Sequence, residues 1–268
     1  MLLSRPLQRA AETAVRLAAA AGVHGLYVHN ALLRGERRGF VFGLETLEGG
    51  LCWFGRRGNL VILGGAEFVD DAAEAVAELV QRSRLPWRIA MGPAPIVDAL
   101  RSRCTGTPLV HRNQIYYQGD AASAATALVR DDMRAAVAAD RDRIVQATLQ
   151  LNHADLAIDP RRVDRRWLYD TVDERIAEGS TQVIGPVGAI DCKLDFGSVG
   201  PGGLVIEGVF TFPSARGCGL AAGLVASCMA AREGAVGLHV GEQNAPARRA
   251  YERAGMREVD RCRLLLLG

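Results

Sequence analysis

Apolar and polar positions alternate along this chain with two distinct periods, and the changes between them mark its elements. Val163, Trp167, Leu168, Val172 and Ile176 recur at the spacing of one helical face, which Gly179 ends. Arg141–Leu151 reads as the helix before it, and Met133–Ala138 as a strand ahead of both. Short runs at Gln182–Ile184, Gly188–Asp195 and Val205–Thr211 read as further strands. A helix from Gly219, a strand at Val236–Val240, a helix from Pro246 and a strand at Arg261–Leu267 follow. Pro246 suits a first helical turn, and Gly255 suits the end of that helix.

The first half repeats the later part of this order. Strands are predicted at Gly39–Leu44, Leu51–Phe54 and Leu60–Leu63, then a helix at Phe68–Gln81. A strand at Trp87–Met91, a helix at Ile96–Ser102 and a strand at Asn113–Tyr117 complete it. Strand starts at 60, 87 and 113 mirror those at 205, 236 and 261, the mark of a duplicated unit. A Gly/Asp/Ala/Ser stretch at Gln118–Asp132 separates the copies, and 268 residues exceed the usual single domain. The expectation is an α/β chain with mixed sheets and two domains in tandem, at 1–120 and 131–268.

Two linked signatures set the copies apart. The predicted strand Val205–Thr211 is stopped by Pro213 and followed by Arg216-Gly217-Cys218-Gly219-Leu220-Ala221, which opens a helix. After one more strand come Asn244, Ala247 and Tyr251, at offsets of three and seven. Glycines at a strand-to-helix junction let backbone approach a ligand, while first-turn N–H groups and the helix dipole favour an anion such as a pyrophosphate. The pairing of Arg-Gly-x-Gly-x-Ala with Asn-x-x-Ala-x-x-x-Tyr resembles the acyl-CoA site of the GNAT superfamily of N-acetyltransferases. In the first half, Gly64-Gly65 enters its helix without Arg-Gly-x-Gly, and no second motif follows Met91. The chain thus resembles a tandem GNAT protein with a degenerate, non-catalytic first half.

The resemblance implies acetyl-CoA as acyl donor and direct transfer to an amine of a small molecule or peptide. It places Arg216, Gly217, Cys218, Gly219, Leu220 and Ala221 around the pyrophosphate, with Ser214 where many members carry Gln or Arg. Asn244 would bond the pantetheine or pyrophosphate, and Val209, Phe210 and Thr211 would line the pantetheine arm with main-chain groups. An N–H near Val209 would polarise the thioester carbonyl. Tyr251 is the expected proton donor to the leaving thiolate, since a phenol with a pKa of about 10 stays protonated at neutral pH. Glu207 is the expected base, placed on one face with Val209 and Thr211 by the two-residue strand period. His153, Asp195, His239 and Glu242 are lesser candidates for the base. The resemblance also implies that the segment at about Arg141–Ser180 sets the acceptor; there Trp167 and Tyr169 could wall a pocket, although Trp167 reads rather as core.

Composition narrows the alternatives. A formal charge of +2 leaves no basic footprint for nucleic acid, and the apolar stretch Cys218–Ala231 is too short to span a bilayer. Arg9, Glu12 and Arg16 interrupt any signal-peptide core, and six cysteines without metal spacing read as buried thiols of a cytoplasmic protein. No metal is expected, and a homodimer stays open. A dinucleotide-dependent dehydrogenase fits Gly217–Ala222, but residues 212–216 separate strand from glycine, and too little chain follows Val240 for a doubly wound sheet. A non-catalytic acyl-CoA sensor or structural protein is the other alternative; Tyr251 beside an intact loop argues against it.

Overall fold

A computed structural model describes residues 2–64 and 66–268, with backbone alone over 66–71, so Gly65 lies outside the described residues. The chain packs as two units. One runs to Tyr116 and takes in Asp260–Gly268; the other is Tyr117–Val259.

The first unit contains β1 (Leu3–Pro6), α1 (Ala11–Ala20), α2 (Leu26–Leu33), β2 (Gly39–Gly43), β3 (Gly50–Phe54) and β4 (Asn59–Gly64). Then come α3 (Ala66–Ser83), β5 (Ile89–Gly92), α4 (Ala94–Ser102) and β6 (Val110–Gly119), which crosses into the second unit after Tyr116. Strands β1 to β4 form an antiparallel meander, and β5 joins parallel to β4 through Asn59↔Ile89, Leu60↔Ala90 and Val61↔Met91. Strands β2 and β3 are buried on both faces, so their sequences read as continuous apolar runs, whereas β1 at the edge is exposed. Phe40, Phe42, Cys52, Phe54, Leu60 and Ile62 pack with α3 and α4, whereas Val41, Leu51, Trp53 and Leu63 pack with α1 and α2.

Two features here differ from the sequence expectation. Helices α1 and α2 precede the predicted strands; Ala10, Ala14 and Ala18 form a buried stripe at helical spacing that alanine's weak hydropathy hides. The last strand, β12 (Arg257–Leu266), was expected to complete the second half. Its end instead pairs antiparallel with β5, from Arg263↔Gly92 to Leu266↔Ile89, and Leu265 sits in the first unit's core.

The second unit contains β7 (Arg134–Ala135), α5 (Arg141–Leu156), α6 (Arg165–Ala177), β8 (Thr181–Ile184), β9 (Cys192–Gly200) and β10 (Gly203–Thr211). It continues with α7 (Leu220–Ala230), β11 (Val236–Gly241) and α8 (Ala245–Ala254). Strand order runs β11-β10-β9-β8-β7, antiparallel except for the parallel pair β10–β11. The predicted strand at Met133–Ala138 shrinks to two residues because Asp140 gathers the chain behind it. This fully buried carboxylate accepts from Arg134 at 2.7 and 3.0 Å, Val137 N at 2.9 Å and Gly188 N at 2.8 Å. The same contact draws Gly188 into a loop, so β9 starts at Cys192 and runs on to Gly200. Trp167 is 54% exposed rather than core, because Leu168 and Val172 take the buried stripe of α6.

Candidate active site

Strands β10 and β11 pair only at Leu204↔Val236 and Val205↔Gly237. Beyond that point they part, and a cleft of about 660 Å³ opens at their carboxyl ends. One wall is the end of β10, with Val209, Phe210 and Thr211. The loop and helix start that follow contribute Arg216, Gly217, Gly219, Leu220 and Ala221, and α8 contributes Asn244 and Tyr251. Expected residues from three separate stretches therefore meet in one cavity. Ser214, Cys218 and Glu207 do not lie on its lining, nor do His153, Asp195, His239 and Glu242.

The loop works through backbone shape. Gly217 (φ 84°) and Gly219 (φ 74°) are both left-handed, and Gly219 is the N-cap of α7. Beyond its own chain neighbours, no heavy atom lies within 4 Å of where a Gly217 Cβ would stand, so conformation rather than crowding reserves that position for glycine. The first-turn N–H groups of α7 have no intrahelical acceptors, and Leu220, Ala221 and Ala222 all line the cleft. Arg216 folds back so that its Nε donates to Thr211 O at 3.2 Å, occupying a carbonyl expected to face the pantetheine. Asn244 caps α8, its Oδ1 accepting from Ala247 N at 3.2 Å. Cys218 is exposed and Cys104 half-buried, so the cysteines are not uniformly buried; all six are free thiols.

Tyr251 is 6% exposed, with its ring packed edge-on against Tyr117 at 6.0 Å. Burial foremost, then the nearby Asp155 carboxylate, pushes its pKa well above the ordinary phenol value, so it stays protonated across the neutral range. Asp155, with Leu151 and Ala154, reaches the cleft from α5. It is the one carboxylate on a lining that also carries Arg216, Arg249 and Arg253, among the described residues. Sequence reading grouped Asp155 with other charges of its segment. The signal that singles it out is its offset from Leu151, which puts it on the same helical face. On the β10 side, Thr211 Oγ1 lies 3.3 Å from Cys192 Sγ, whose thiol burial pushes up to about 11.

Contrary to the expectation from strand period, Glu207 does not share a face with Thr211. The register on β9 shifts between Glu207↔Asp195 and Phe210↔Lys193, so Gly208 and Val209 together face Leu194. This is a β-bulge, with Gly208 at φ 62°. It breaks the two-residue period between Glu207 and Thr211. Glu207 Oε1 instead accepts from Arg175 at 2.6 Å, and the residue is not on the cleft lining.

Residues 124–256 match the acetyltransferase (GNAT) family. No match is found among curated proteins. The chain is similar to a GCN5-related N-acetyltransferase from Sphaerobacter thermophilus, at 16% identity and TM-score 0.59 over 98% of this chain and 94% of that one. It is also similar to an acetyltransferase of the GNAT family from Colwellia psychrerythraea, at 13% identity and TM-score 0.53 over 100% of both chains. A tandem GNAT protein from the clavulanic acid biosynthesis pathway shares 13% identity and TM-score 0.51, over 99% of this chain and 98% of that one. No helix among the described residues is long and apolar enough to cross a membrane. The fold along the whole chain is thus that of a tandem GNAT protein, and the second unit carries a GNAT-family N-acetyltransferase domain.

Proposed function

We propose that the second unit transfers an acetyl group from acetyl-CoA directly to the amine of a small molecule or peptide. The observation that carries this reading is the convergence of the glycine loop, Asn244, Tyr251 and the end of β10 on one cleft. The α7 N-terminus, Gly217 and Gly219, with Arg216, Arg249 and Arg253 around them, receives the pyrophosphate. The pantetheine follows Val209–Thr211 toward Tyr251, and a backbone N–H at Val209 stabilises the carbonyl oxygen as charge develops.

The acceptor enters from the α5 side, where Asp155 attracts its ammonium and takes the proton that must leave before attack. The neutral nitrogen then bonds to the carbonyl carbon, the C–S bond breaks, the departing sulfur takes the Tyr251 proton, and the second proton shed by the nitrogen as the amide forms restores the phenol. This reading moves the base from Glu207 to Asp155, because only Asp155 lines the cleft. The first unit serves as a scaffold without an acyl-CoA site, a reading supported by α3 beginning at Ala66, directly behind the end of β4 at Gly64.

Calorimetric titration of acetyl-CoA, followed by turnover with a panel of primary amines, tests the proposal. Tyr251→Phe keeps the ring against Tyr117 and removes the proton, so turnover should fall about 10²–10⁴-fold with acetyl-CoA affinity nearly unchanged. Parental turnover, with chemistry rate-limiting, assigns the proton to another donor.

A further inference from the structure

Beneath the β10 bulge lies a cluster of charge that acyl transfer leaves unexplained. Lys193, the chain's single lysine, is 1% exposed and bonds Asp195, which is 5% exposed. Arg175 Nη1 approaches the same Asp195 oxygen at 2.8 Å, while Thr181 Oγ1 donates to the other at 2.7 Å. The second arm of Arg175 reaches Glu207 at 2.6 Å. Two cations thus meet two carboxylates, and α6, β8, β9 and β10 all take part.

A sheet needs no such device for stability alone, because buried ion pairs are commonly matched or bettered by apolar residues of similar size. What the cluster does supply is a fixed geometry at the bulge. Asp195 and Lys193 are the register partners of Glu207 and Phe210, the residues that bracket Gly208 and Val209. A Cβ on Gly208 would stand 2.5 Å from Asp195 Oδ2 and 3.0 Å from Lys193 Nζ, so the bulge rests directly on the pair. The next residue, Val209, is cleft wall.

We infer that Lys193 and Asp195, tied through Arg175 to Glu207, are positioning residues for acyl transfer: they set the bulge and thereby aim the Val209 backbone at the thioester. The inference rests on the acyl-transfer reading above. None of the four lines the cleft, so they act through Val209 and leave the bonds that form and break to other groups.

The test uses the full chain. Lys193→Met alone strands a buried carboxylate and risks unfolding, so the decisive variant is Lys193→Met with Asp195→Leu, which replaces the pair by apolar groups. It should fold by circular dichroism and bind acetyl-CoA within about threefold of the parent, yet turn over about 10²-fold more slowly, the scale of a small misplacement. Turnover is read with the best amine of the panel, or as acceptor-independent hydrolysis of acetyl-CoA where no amine reacts. Amide exchange at Val209 should quicken in the same variant.

Glu207→Gln separates positioning from proton transfer. Positioning predicts a smaller loss with the parental pH profile; recovery as pH rises toward the amine's own pKa would overturn the positioning role of Glu207. Unchanged turnover per folded molecule in the double variant overturns the inference alone. Failure of the parental protein to bind acetyl-CoA overturns the acyl-transfer reading itself, and the inference with it.

Discussion

The two units build the same junction, a pair of parallel strands each running into a helix, but the link between strand and helix is longer in the second. In the first unit β4 ends at Gly64 and α3 starts at Ala66. In the second β10 ends at Thr211 and α7 starts at Leu220, with left-handed Gly217 and Gly219 in the link. The first unit has a cavity at this place too, of about 460 Å³, lined by Ile62, Leu63, Gly64, Pro93 and Pro95 among others. Parted strands are therefore a property of the fold, whereas a glycine-shaped helix entrance is an addition to it. The strands differ likewise: β4 pairs with β3 in unbroken register, while β10 carries its bulge over buried charge. Among the described residues of the two junctions, irregularity collects where chemistry is proposed.

The strongest way to break this comparison is to place a charge in the loop. Gly217→Glu forces a side chain onto φ 84° and sets a carboxylate beside the proposed phosphate site. Acetyl-CoA affinity should fall by more than about 10²-fold by calorimetry, close to 3 kcal/mol. Arg261→Glu, at the rim of the first unit's cavity, should leave that affinity unchanged. Equal losses would put the acyl-CoA site in the wrong unit.

The comparison is sharpened by Asp140, a fully buried and multiply bonded carboxylate; among the described residues the first unit has no buried carboxylate. Asp140→Ala should destabilise the second unit by about 3–5 kcal/mol, read as a lower denaturant midpoint. Burial opposes ionisation there, but Arg134 and the amides of Val137 and Gly188 hold the carboxyl below its ordinary range. That contribution is therefore present above the unfolded carboxyl pKa, and is lost as pH falls through the folded value. The variant's stability should vary less over that acid range.

The smallest expected effect belongs to the first unit. His24 Nε2 lies 2.7 Å from Asp260 Oδ2, and its ring packs on Tyr116 at 3.9 Å. Burial lowers its pKa against the pull of Asp260. The folded state then favours neutral imidazole, so stability falls as pH drops below the unfolded value of about 6.5 toward the folded one. Melting should occur at a lower temperature at pH 5.5 than at pH 7.5, and His24→Gln should flatten that dependence. An equal slope in the variant assigns the effect elsewhere.

What the sequence revealed and what it hid follow from the range of each signal. The glycine loop, Asn244 and Tyr251, which the structure brings to one cleft, stand out in the sequence because local backbone needs fix their spacing. The parity argument for Glu207 failed because one extra residue at Gly208 inverts a strand face, and a bulge leaves little local trace besides that glycine. The place of Asp155 on the cleft lining stayed hidden among other charges, since it depends on elements distant in sequence, β10 and α8 among them. Strand β12 was found as an element, but its partner β5 lies far away in sequence, and no periodicity encodes that pairing.

The placement of residues 260–268 also orders events during synthesis. The second unit is one continuous stretch, complete once Val259 has left the ribosome. The first unit, though begun earlier, must wait for the strand that follows, leaving one side of β5 without that partner throughout translation of its neighbour. The half made first is thus the half finished last.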